Sequence, residues 1–244
     1  MHIDLVFDST KCIQMITDHA WVAVIDVLRS ATSIIYALKN GARLVMPAQS
    51  SQEALRISEH LPRNELILCG ERDDLPIPGF TYGISPAEFT ADTVKGKTVI
   101  MVMENGIASL VRSDPRLRLI VPSFVNLRFA ARYIASRGEN EQMIILCKGR
   151  NGLLSLEDLF CSGMFVREIE GCINTTVTGN DGITIAKRLA TSYGNDVFSI
   201  LQRTDTGRFL CEQGFHEDVR LSAQCSIIDI VPTIRNGDLI AEEV

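Results

Sequence analysis

Short apolar runs and segments of helical periodicity alternate along most of the chain. The apolar, largely β-branched runs predict strands at 3–7, 21–25, 43–47, 66–69, 97–102, 119–121 and 143–147. The periodic segments predict helices at 32–39, 51–60, 107–112, 126–136, 183–192 and 197–202, and a further helix that opens at Ser155. Strands that alternate with helices indicate an α/β domain with a mainly parallel or mixed sheet.

The stretch from Trp21 to Ser33 changes character at a single acidic residue. Residues 21–25 are apolar, as in a strand buried on both faces, and Asp26 follows at once. Arg29 and three hydroxyl residues come next, around the start of helix 32–39. Ligands bind beyond the carboxyl ends of strands in open α/β sheets, and helix N-termini favour anions. The stretch therefore predicts a site for a phosphorylated ligand and its metal ion, or else an acidic helix cap with Arg29 paired to a surface carboxylate.

Two passages share the order strand, polar turn, helix, strand and proline. The first covers residues 22–47 and the second residues 99–122. This similarity predicts two similarly wound halves whose polar turns face one crevice. A third polar turn, Lys148-Gly-Arg150, follows strand 143–147 and is expected at the same edge. No segment has the composition of a linker, so we expect one α/β domain over residues 1–244.

Two other segments carry local signals. Residues 73–86 are rich in proline and glycine, and a long irregular stretch inside a domain is usually functional. Near the end of the chain, the pattern predicts a turn at 206–208 and a last strand at 227–231.

Composition narrows the class of partner. The 244 residues are 46% apolar and carry a formal net charge of −6, without a basic run. This charge argues against a nucleic-acid binder and favours small molecules as partners. The first residues do not resemble a leader, and no apolar run approaches the roughly 18 residues of a membrane span. These features predict a cytoplasmic protein without a membrane partner. The sequence is compatible with a homo-oligomer but does not fix the oligomeric state.

The seven cysteines are odd in number and include no Cys-x-x-Cys pair, which argues against a disulfide framework and a zinc ribbon. Cys161 and Arg167 have the separation found in thiol-dependent phosphatases. The apolar residues between them continue a helical pattern instead of forming a phosphate-binding loop, so we reject that match.

Seven short motifs, in order, resemble the 2-phosphosulfolactate phosphatase family over nearly the whole chain. They are Asp26-Val-Leu-Arg29-Ser-Ala-Thr32, Asn40-Gly41-Ala42, Gly70-Glu71-Arg72, Gly79-Phe80 with Ser85-Pro86, Asn105-Gly106, Ser155-Leu-Glu157-Asp158, and Gly207-Arg208-Phe-Leu with the stretch from Gly214 to Asp218. The resemblance implies a three-layer α/β/α fold. It also implies a Mg²⁺-dependent hydrolase that removes phosphate from 2-phospho-3-sulfolactate in coenzyme M or sulfolactate biosynthesis.

Four carboxylates are the candidate metal ligands. Mg²⁺ prefers oxygen ligands and keeps several waters, so one to three carboxylates suffice. The candidates are Asp26, Glu71, Glu157 and Asp158. Because neighbours on a helix do not share a face, one of Glu157 and Asp158 is expected to bind the metal and the other to support it. The Ser155 motif is also compatible with a helix cap alone.

The anionic substrate needs cations and hydrogen-bond donors. Arginine suits phosphate, carboxylate and sulfonate groups, and Arg29 and Arg72 each lie near a candidate carboxylate. The predicted catalytic residues are Asp26, Arg29, Arg72 and Asn105. The predicted substrate-binding residues are Arg29, Thr32, Arg72, Ser85, Asn105 and Lys148. Glu71 and Arg72 are also compatible with a solvated turn. Water attack is the favoured mechanism, with Asp26 as a covalent nucleophile the alternative, and Arg29→Ala is expected to impair turnover without unfolding.

One departure from the family pattern bears on activity. The family usually has a threonine-rich run before Asn-Gly-Thr, whereas this chain has Met101-Val-Met-Glu104 before Asn105. A glutamate in an anion pocket repels phosphate unless a metal or arginine offsets it. Glu104 therefore indicates a different substrate, an added metal ligand or lost activity. The rival interpretation is a catalytically silent family member that binds a small anionic metabolite.

Overall fold

The computed structural model describes residues 1–17, 20–72, 75–103, 107–113, 117–137, 142–150 and 153–243, and we call these the described residues. Their strands are β1 His2–Val6, β2 Trp21–Ile25, β3 Leu44–Ala48, β4 Leu66–Arg72, β5 Leu75–Pro76, β6 Thr98–Val102, β7 Arg118–Ile120, β8 Gln142–Cys147, β9 Thr178–Gly179, β10 Ile230–Arg235 and β11 Asp238–Glu243. Their helices are α1 Ser9–Met15, α2 Thr32–Lys39, α3 Ser51–Ser58, α4 Ala91–Val94, α5 Ile107–Ser113, α6 Leu127–Ala135, α7 Leu156–Ile173, α8 Asp181–Tyr193, α9 Val197–Leu201, α10 Asp205–Glu212 and α11 His216–Ser222.

The strands form one mixed sheet in the order β5-β4-β6-β3-β11-β10-β7-β2-β8-β1-β9. Two parallel blocks, β4-β6-β3 and β7-β2-β8-β1-β9, flank the hairpin of β10 and β11. The hairpin is antiparallel to β7 on one side and to β3 on the other, so the blocks run in opposite directions. The sheet is therefore mixed, with its parallel strands grouped on either side of the hairpin.

The two halves predicted from the sequence are present as two crossovers. The unit β2-α2-β3 and the unit β6-α5-β7 cross the central hairpin in opposite directions, because β2 lies beside β7 and β3 beside β6. Both crossover helices pack into the same core cluster on one face of the sheet. The turn after β6, residues 104–106, lies outside the described residues, so its place in a shared crevice stays a prediction.

Helices cover both faces of the sheet, which confirms the three-layer α/β/α architecture. On β2, Ala23 and Ile25 face a core that also contains residues of α6, α7 and α8. Val22 and Val24 face the opposite core, with α2 and α5. A smaller cluster under α3 joins Ala54 to residues of β3 and β6. Burial on both faces accounts for the uninterrupted apolar sequence of β2.

Two local predictions are wrong. Residues 206–208 form part of α10, because Thr204 caps that helix and Gly207 packs where a Cβ atom would lie 1.8 Å from the Leu201 carbonyl oxygen. In place of the predicted strand 227–231, β10 runs from Ile230 to Arg235 and pairs with β11 across the Asn-Gly turn at 236–237. The predicted strand 66–69 is present and continues to Arg72 as β4, which pairs with β5 inside the stretch 73–86, so the alternative of a solvated turn at Glu71 and Arg72 does not hold. No helix in the described residues is long and apolar enough to span a membrane.

The contact between α7 and α8 depends on a glycine. A Cβ atom at Gly163 would lie 1.9 Å from the Ala186 carbonyl oxygen, whereas one at Gly171, on the same helix, would have no neighbour within 4 Å. We expect Gly163→Ala to lower the free energy of unfolding by about 1–3 kcal/mol through overpacking. The matched control Gly171→Ala should raise it by about 0.5–1 kcal/mol, the usual helix preference for alanine. Urea unfolding of both variants measures the difference, and equal effects would contradict the close approach.

Candidate active site

The neighbouring strands β2 and β8 end at the same edge of the sheet, and they place a carboxylate and a lysine there. β2 and β8 are parallel partners in which Ile25 lies opposite Cys147, so Asp26 and Lys148 follow side by side. The Lys148 N–H continues the pairing with a 3.0 Å hydrogen bond to the Ile25 carbonyl oxygen. The Lys148 Nζ atom lies 3.2 Å from Asp26 Oδ2, with 31% of the lysine side chain exposed and 7% of the aspartate side chain. This contact agrees with the prediction that the polar turns after strands 21–25 and 143–147 lie at the same edge of the sheet.

The start of α7 adds two more carboxylates. The Ser155 side chain caps the helix by accepting a hydrogen bond from the Asp158 N–H at 3.2 Å. Asp158 Oδ1 accepts the Val27 N–H at 2.9 Å, and Oδ2 accepts the Gly149 N–H at 3.1 Å. Asp158 thereby ties the turn after β2 to the turn after β8. Glu157, next to it, is also buried.

Acidic residues are concentrated where the turns after β2 and β8 meet the start of α7. Burial raises the pKa of Asp158 well above its ordinary value, and the nearby carboxylates of Asp26 and Glu157 raise it further. The hydrogen bonds from Val27 and Gly149 oppose this rise. We call Asp26, Lys148, Glu157 and Asp158 the Asp26 cluster. Its excess of carboxylates favours the binding of a cation.

The donor chemistry of the Asp26 cluster fits Mg²⁺. The described residues contain no group of three or more His, Cys, Asp or Glu side chains arranged to hold a metal. Mg²⁺ needs fewer, since it is commonly bound through one or two carboxylates and retains several waters. Both Asp158 oxygens already accept backbone hydrogen bonds, so Asp158 suits the supporting role and Glu157 the role of ligand beside Asp26.

Lys148 lies on a turn that requires glycine at the next position. Gly149 has a φ of +67°, and a Cβ atom there would lie 2.2 Å from the Leu153 carbonyl oxygen. Two backbone hydrogen bonds between Arg150 and Leu153 close the turn. The Arg150 guanidinium stacks on Phe209 at 4.5 Å from the ring centroid. The turn therefore holds the backbone of Lys148 in place and leaves the Gly149 N–H aimed at Asp158.

A second cluster surrounds Arg29. Its Nη1 donates a 2.7 Å hydrogen bond to Asp218 Oδ2, and its Nη2 donates to Glu71 Oε1. The centroid of the Phe215 ring lies 4.4 Å from the guanidinium carbon, and only 2% of the Arg29 side chain is exposed. Burial alone would lower the pKa of Arg29, but the charge of Glu71 and hydrogen bonds to Asp218 and Glu71 outweigh it and raise the pKa. We call Arg29, Glu71, Ser85, Phe215 and Asp218 the Arg29 cluster.

The loop at Ser85 completes the Arg29 cluster. The Ser85 hydroxyl donates a 2.6 Å hydrogen bond to Asp218 Oδ1. The Ser85 N–H donates a hydrogen bond to the Glu88 carboxylate, whose pKa is raised mainly by burial.

Sequence reasoning did not assign Phe215, Asp218 or Glu88 to the site. The resemblance of the stretch from Gly214 to Asp218 to the family was the available signal, but no local pattern connects that stretch with Arg29.

The predicted metal ligands divide between the two clusters. Glu71 lies against Arg29 and not in the Asp26 cluster, because it is the last residue but one of β4, which is not a neighbour of β2. Neighbouring residues on a strand point to opposite faces, and Arg72 accordingly bonds to Ser51 Oγ at 3.1 Å. The structure therefore does not bring Arg72 to either cluster, and its contact with substrate stays a prediction.

Thr32 and Asn105 complete the predicted set. The Thr32 hydroxyl is fully buried, donates to the Val27 carbonyl oxygen at 2.8 Å and lies 2.9 Å from Ser123 Oγ. These bonds hold the turn between β2 and α2. Asn105 and Glu104 lie outside the described residues, so their roles stay predictions.

Comparison with known proteins gives one consistent family. A family model described as 2-phosphosulpholactate phosphatase matches residues 9–237. A probable 2-phosphosulfolactate phosphatase of Caldanaerobacter subterraneus subsp. tengcongensis is 32% identical over 216 residues, 88% of each chain. Proteins with the same description are 30% identical in Clostridium beijerinckii, over 99% of this chain and 100% of the relative, and 33% identical in Thermotoga petrophila, over 90% and 91%.

Proposed function

The chain belongs to the 2-phosphosulpholactate phosphatase family, and from this premise we propose that it is a Mg²⁺-dependent enzyme that hydrolyses 2-phospho-3-sulfolactate. Its class is that of the phosphoric monoester hydrolases. The proposal includes a small phosphorylated anion as substrate, a place in coenzyme M or sulfolactate biosynthesis, and a cytoplasmic location.

The observation that carries the proposal is the meeting of Asp26 with Lys148 beside the acidic start of α7. Phosphate ester hydrolysis needs a hard cation, a group that orients water, and positive charge on the phosphate oxygens. The Asp26 cluster contains the residue types for all three tasks. Lys148 is the cation of that cluster and is partly open to solvent.

Charge balance supports the involvement of Mg²⁺. In the two clusters, the described residues Asp26, Glu71, Glu157 and Asp218 supply four carboxylates beside Asp158, whose raised pKa favours the neutral acid, whereas Arg29 and Lys148 supply two cations. A substrate with phosphate, sulfonate and carboxylate groups adds more negative charge. Asp26 and Glu157 would hold the ion, with Asp158 in support, and the bound ion would lower the pKa of a water and neutralise phosphate oxygens.

The residues of the chain then have separate tasks. Asp26 orients the attacking water, and Lys148 Nζ neutralises an oxygen of the transferred phosphate. Water adds to phosphorus and gives one proton to Asp26, the ester P–O bond breaks, and that proton passes to the leaving alkoxide, so that 3-sulfolactate and inorganic phosphate are released. Asp158 contributes indirectly, because its two backbone hydrogen bonds fix the turns that carry Asp26 and Lys148.

Phosphate release tests this proposal directly. We expect the protein to release phosphate from racemic 2-phosphosulfolactate with Mg²⁺, to lose this activity in EDTA, and to regain it when excess Mg²⁺ is added. Phospholactate, which lacks the sulfonate, tests substrate preference and should be hydrolysed less efficiently. Release that is equal with Mg²⁺ and with EDTA would contradict the role of the metal.

The second candidate function is binding of a small anion without turnover, and Glu104 is the observation that favours it. This carboxylate stands where the family usually has hydroxyl donors. Comparison of wild type with Glu104→Thr decides between the two functions. Activity in Glu104→Thr alone would identify a diverged binding protein, whereas activity in wild type would make Glu104 a tolerated change or a metal ligand.

A further inference from the structure

Asp218 connects the C-terminal part of the chain to the turn after β2. It lies on α11, 189 residues from Arg29, and 2% of its side chain is exposed. Each of its carboxylate oxygens accepts one hydrogen bond, Oδ2 from Arg29 at 2.7 Å and Oδ1 from Ser85 at 2.6 Å. Such a buried carboxylate fixes the position of the guanidinium that it binds.

The helix that carries Asp218 holds Arg29 in a second way. Phe215 lies three residues before Asp218, and its ring packs against the guanidinium. On the other side, Glu71 at the end of β4 accepts a hydrogen bond from Nη2. Arg29 is therefore held by two carboxylates and an aromatic ring from two distant parts of the chain.

The position of Arg29 bears directly on Asp26. The two residues are three positions apart on the same turn, and Val27 between them donates its N–H to Asp158. The turn is thus fixed at Val27 from the side of α7 and at Arg29 from the side of α11. Asp26, which begins this turn, has its backbone set by both attachments.

We infer that Asp218 is a positioning residue for the proposed reaction, since it holds Arg29 and through Arg29 fixes the turn that carries Asp26. The inference rests on the proposed function for its catalytic consequence. It also gives Ser85 a task different from substrate binding, because the Ser85 hydroxyl supports the Asp218 carboxylate. Arg29 acts here on the geometry of the site through its buried ion pairs.

The first test is Asp218→Asn, which keeps the size of the side chain and removes its charge. We expect kcat to fall about 10- to 100-fold, as for small misplacements of reacting groups, with KM changed less than about threefold. Glu170→Gln is the matched control, because it breaks the 2.6 Å ion pair of Glu170 with Lys187 on α8. The control should keep kcat and KM within about twofold of wild type. Thermal unfolding of each variant verifies that it is folded.

A double-mutant cycle separates positioning through Arg29 from a general structural role. Arg29→Lys keeps the buried charge but loses the planar fork. If Asp218 acts through Arg29, Asp218→Asn should reduce kcat less in the Arg29→Lys background than in wild type. Ser85→Ala is a milder variant, expected to lower kcat with KM unchanged. Equal effects of Asp218→Asn in both backgrounds, or a rise in KM alone, would overturn the inference.

Mg²⁺ binding, measured by calorimetry with the metal alone, keeps this test independent of turnover. Positioning predicts weaker Mg²⁺ binding in Asp218→Asn and unchanged binding in Glu170→Gln. If wild type is active and Asp218→Asn matches the control in every measurement, the inference fails and the proposed function stands. If wild type binds Mg²⁺ without releasing phosphate, the proposed function fails, and the binding comparison alone decides the inference. Wild type with neither property would overturn both.

Discussion

Asp26→Asn is expected to reduce Mg²⁺-dependent phosphate release by about 10²- to 10⁴-fold, the range found when a group that handles the proton of an attacking water is removed. The carboxylate lies beside Lys148 Nζ and adjoins the acidic start of α7, and in the proposed mechanism its charge serves both the metal and the water. Asparagine keeps the shape and removes that charge. Steady-state phosphate release and Mg²⁺ calorimetry measure the effect. Asp205→Asn, at an exposed ion pair on α10, is the control and should leave both unchanged.

The same variant should not weaken the fold. The pKa of Asp158 is raised by burial and by Asp26, so the stability that Asp158 contributes is present at low pH and lost as pH rises through its folded pKa. Removing the Asp26 charge lowers that folded pKa and reduces the loss. The free energy of unfolding should therefore fall less steeply from acidic to neutral pH in Asp26→Asn than in wild type. Undiminished turnover would remove Asp26 from the mechanism.

Arg29→Met should lower the free energy of unfolding by about 3–5 kcal/mol, as expected when one partner of a buried ion pair is removed. Methionine fills much of the space but removes the cation from between Glu71 and Asp218, in a site where 2% of the Asp218 side chain is exposed. The sequence led us to expect that Arg29→Ala impairs turnover alone. Burial of the guanidinium between two carboxylates adds a loss of stability. Urea unfolding measures this loss.

Two comparisons test whether charge or packing causes the loss of stability in Arg29→Met. Replacing Glu71 by Gln and Asp218 by Asn together with Arg29→Met removes the two carboxylate charges as well and should restore part of the lost stability. Arg220→Ala, which breaks the exposed pair of Arg220 with Glu217, should hardly move the unfolding midpoint. A triple variant no more stable than Arg29→Met alone would show that packing, and not charge, makes Arg29 necessary.

The sequence predicted the Asp26 cluster because its members follow from local rules. A buried strand that ends in an acid, a parallel neighbour that ends in a lysine, and a capped helix with two acids each have a short signature. Parallel pairing of β2 with β8 then brings the polar turns together. Residues from these three segments could thus be expected at one edge of the sheet, but the same reasoning also placed Glu71 with them, whereas the structure places it against Arg29.

The Arg29 cluster could not be predicted in the same way. Asp218 and Glu71 reach Arg29 only through the packing of α11 and the end of β4, over separations of 189 and 42 residues. No periodicity of the sequence encodes contacts over such separations.

The β10–β11 hairpin was not predicted, for a different reason. Asn236 and Gly237 have φ values of +52° and +89°, which suit a tight hairpin turn, so the Asn-Gly signal was present in the sequence and was overlooked.

The central position of the β10–β11 hairpin has a consequence for how the chain folds. Residues 230–243 are synthesised after both parallel blocks, yet they supply the only link between β7 and β3 in the described sheet. Until they emerge from the ribosome, each block has an unpaired inner edge of the kind that promotes aggregation. The contacts that join the blocks are also far apart in sequence, which slows folding. Nascent chains that end before residue 230 should therefore depend on chaperones, and release from them should follow completion of the hairpin.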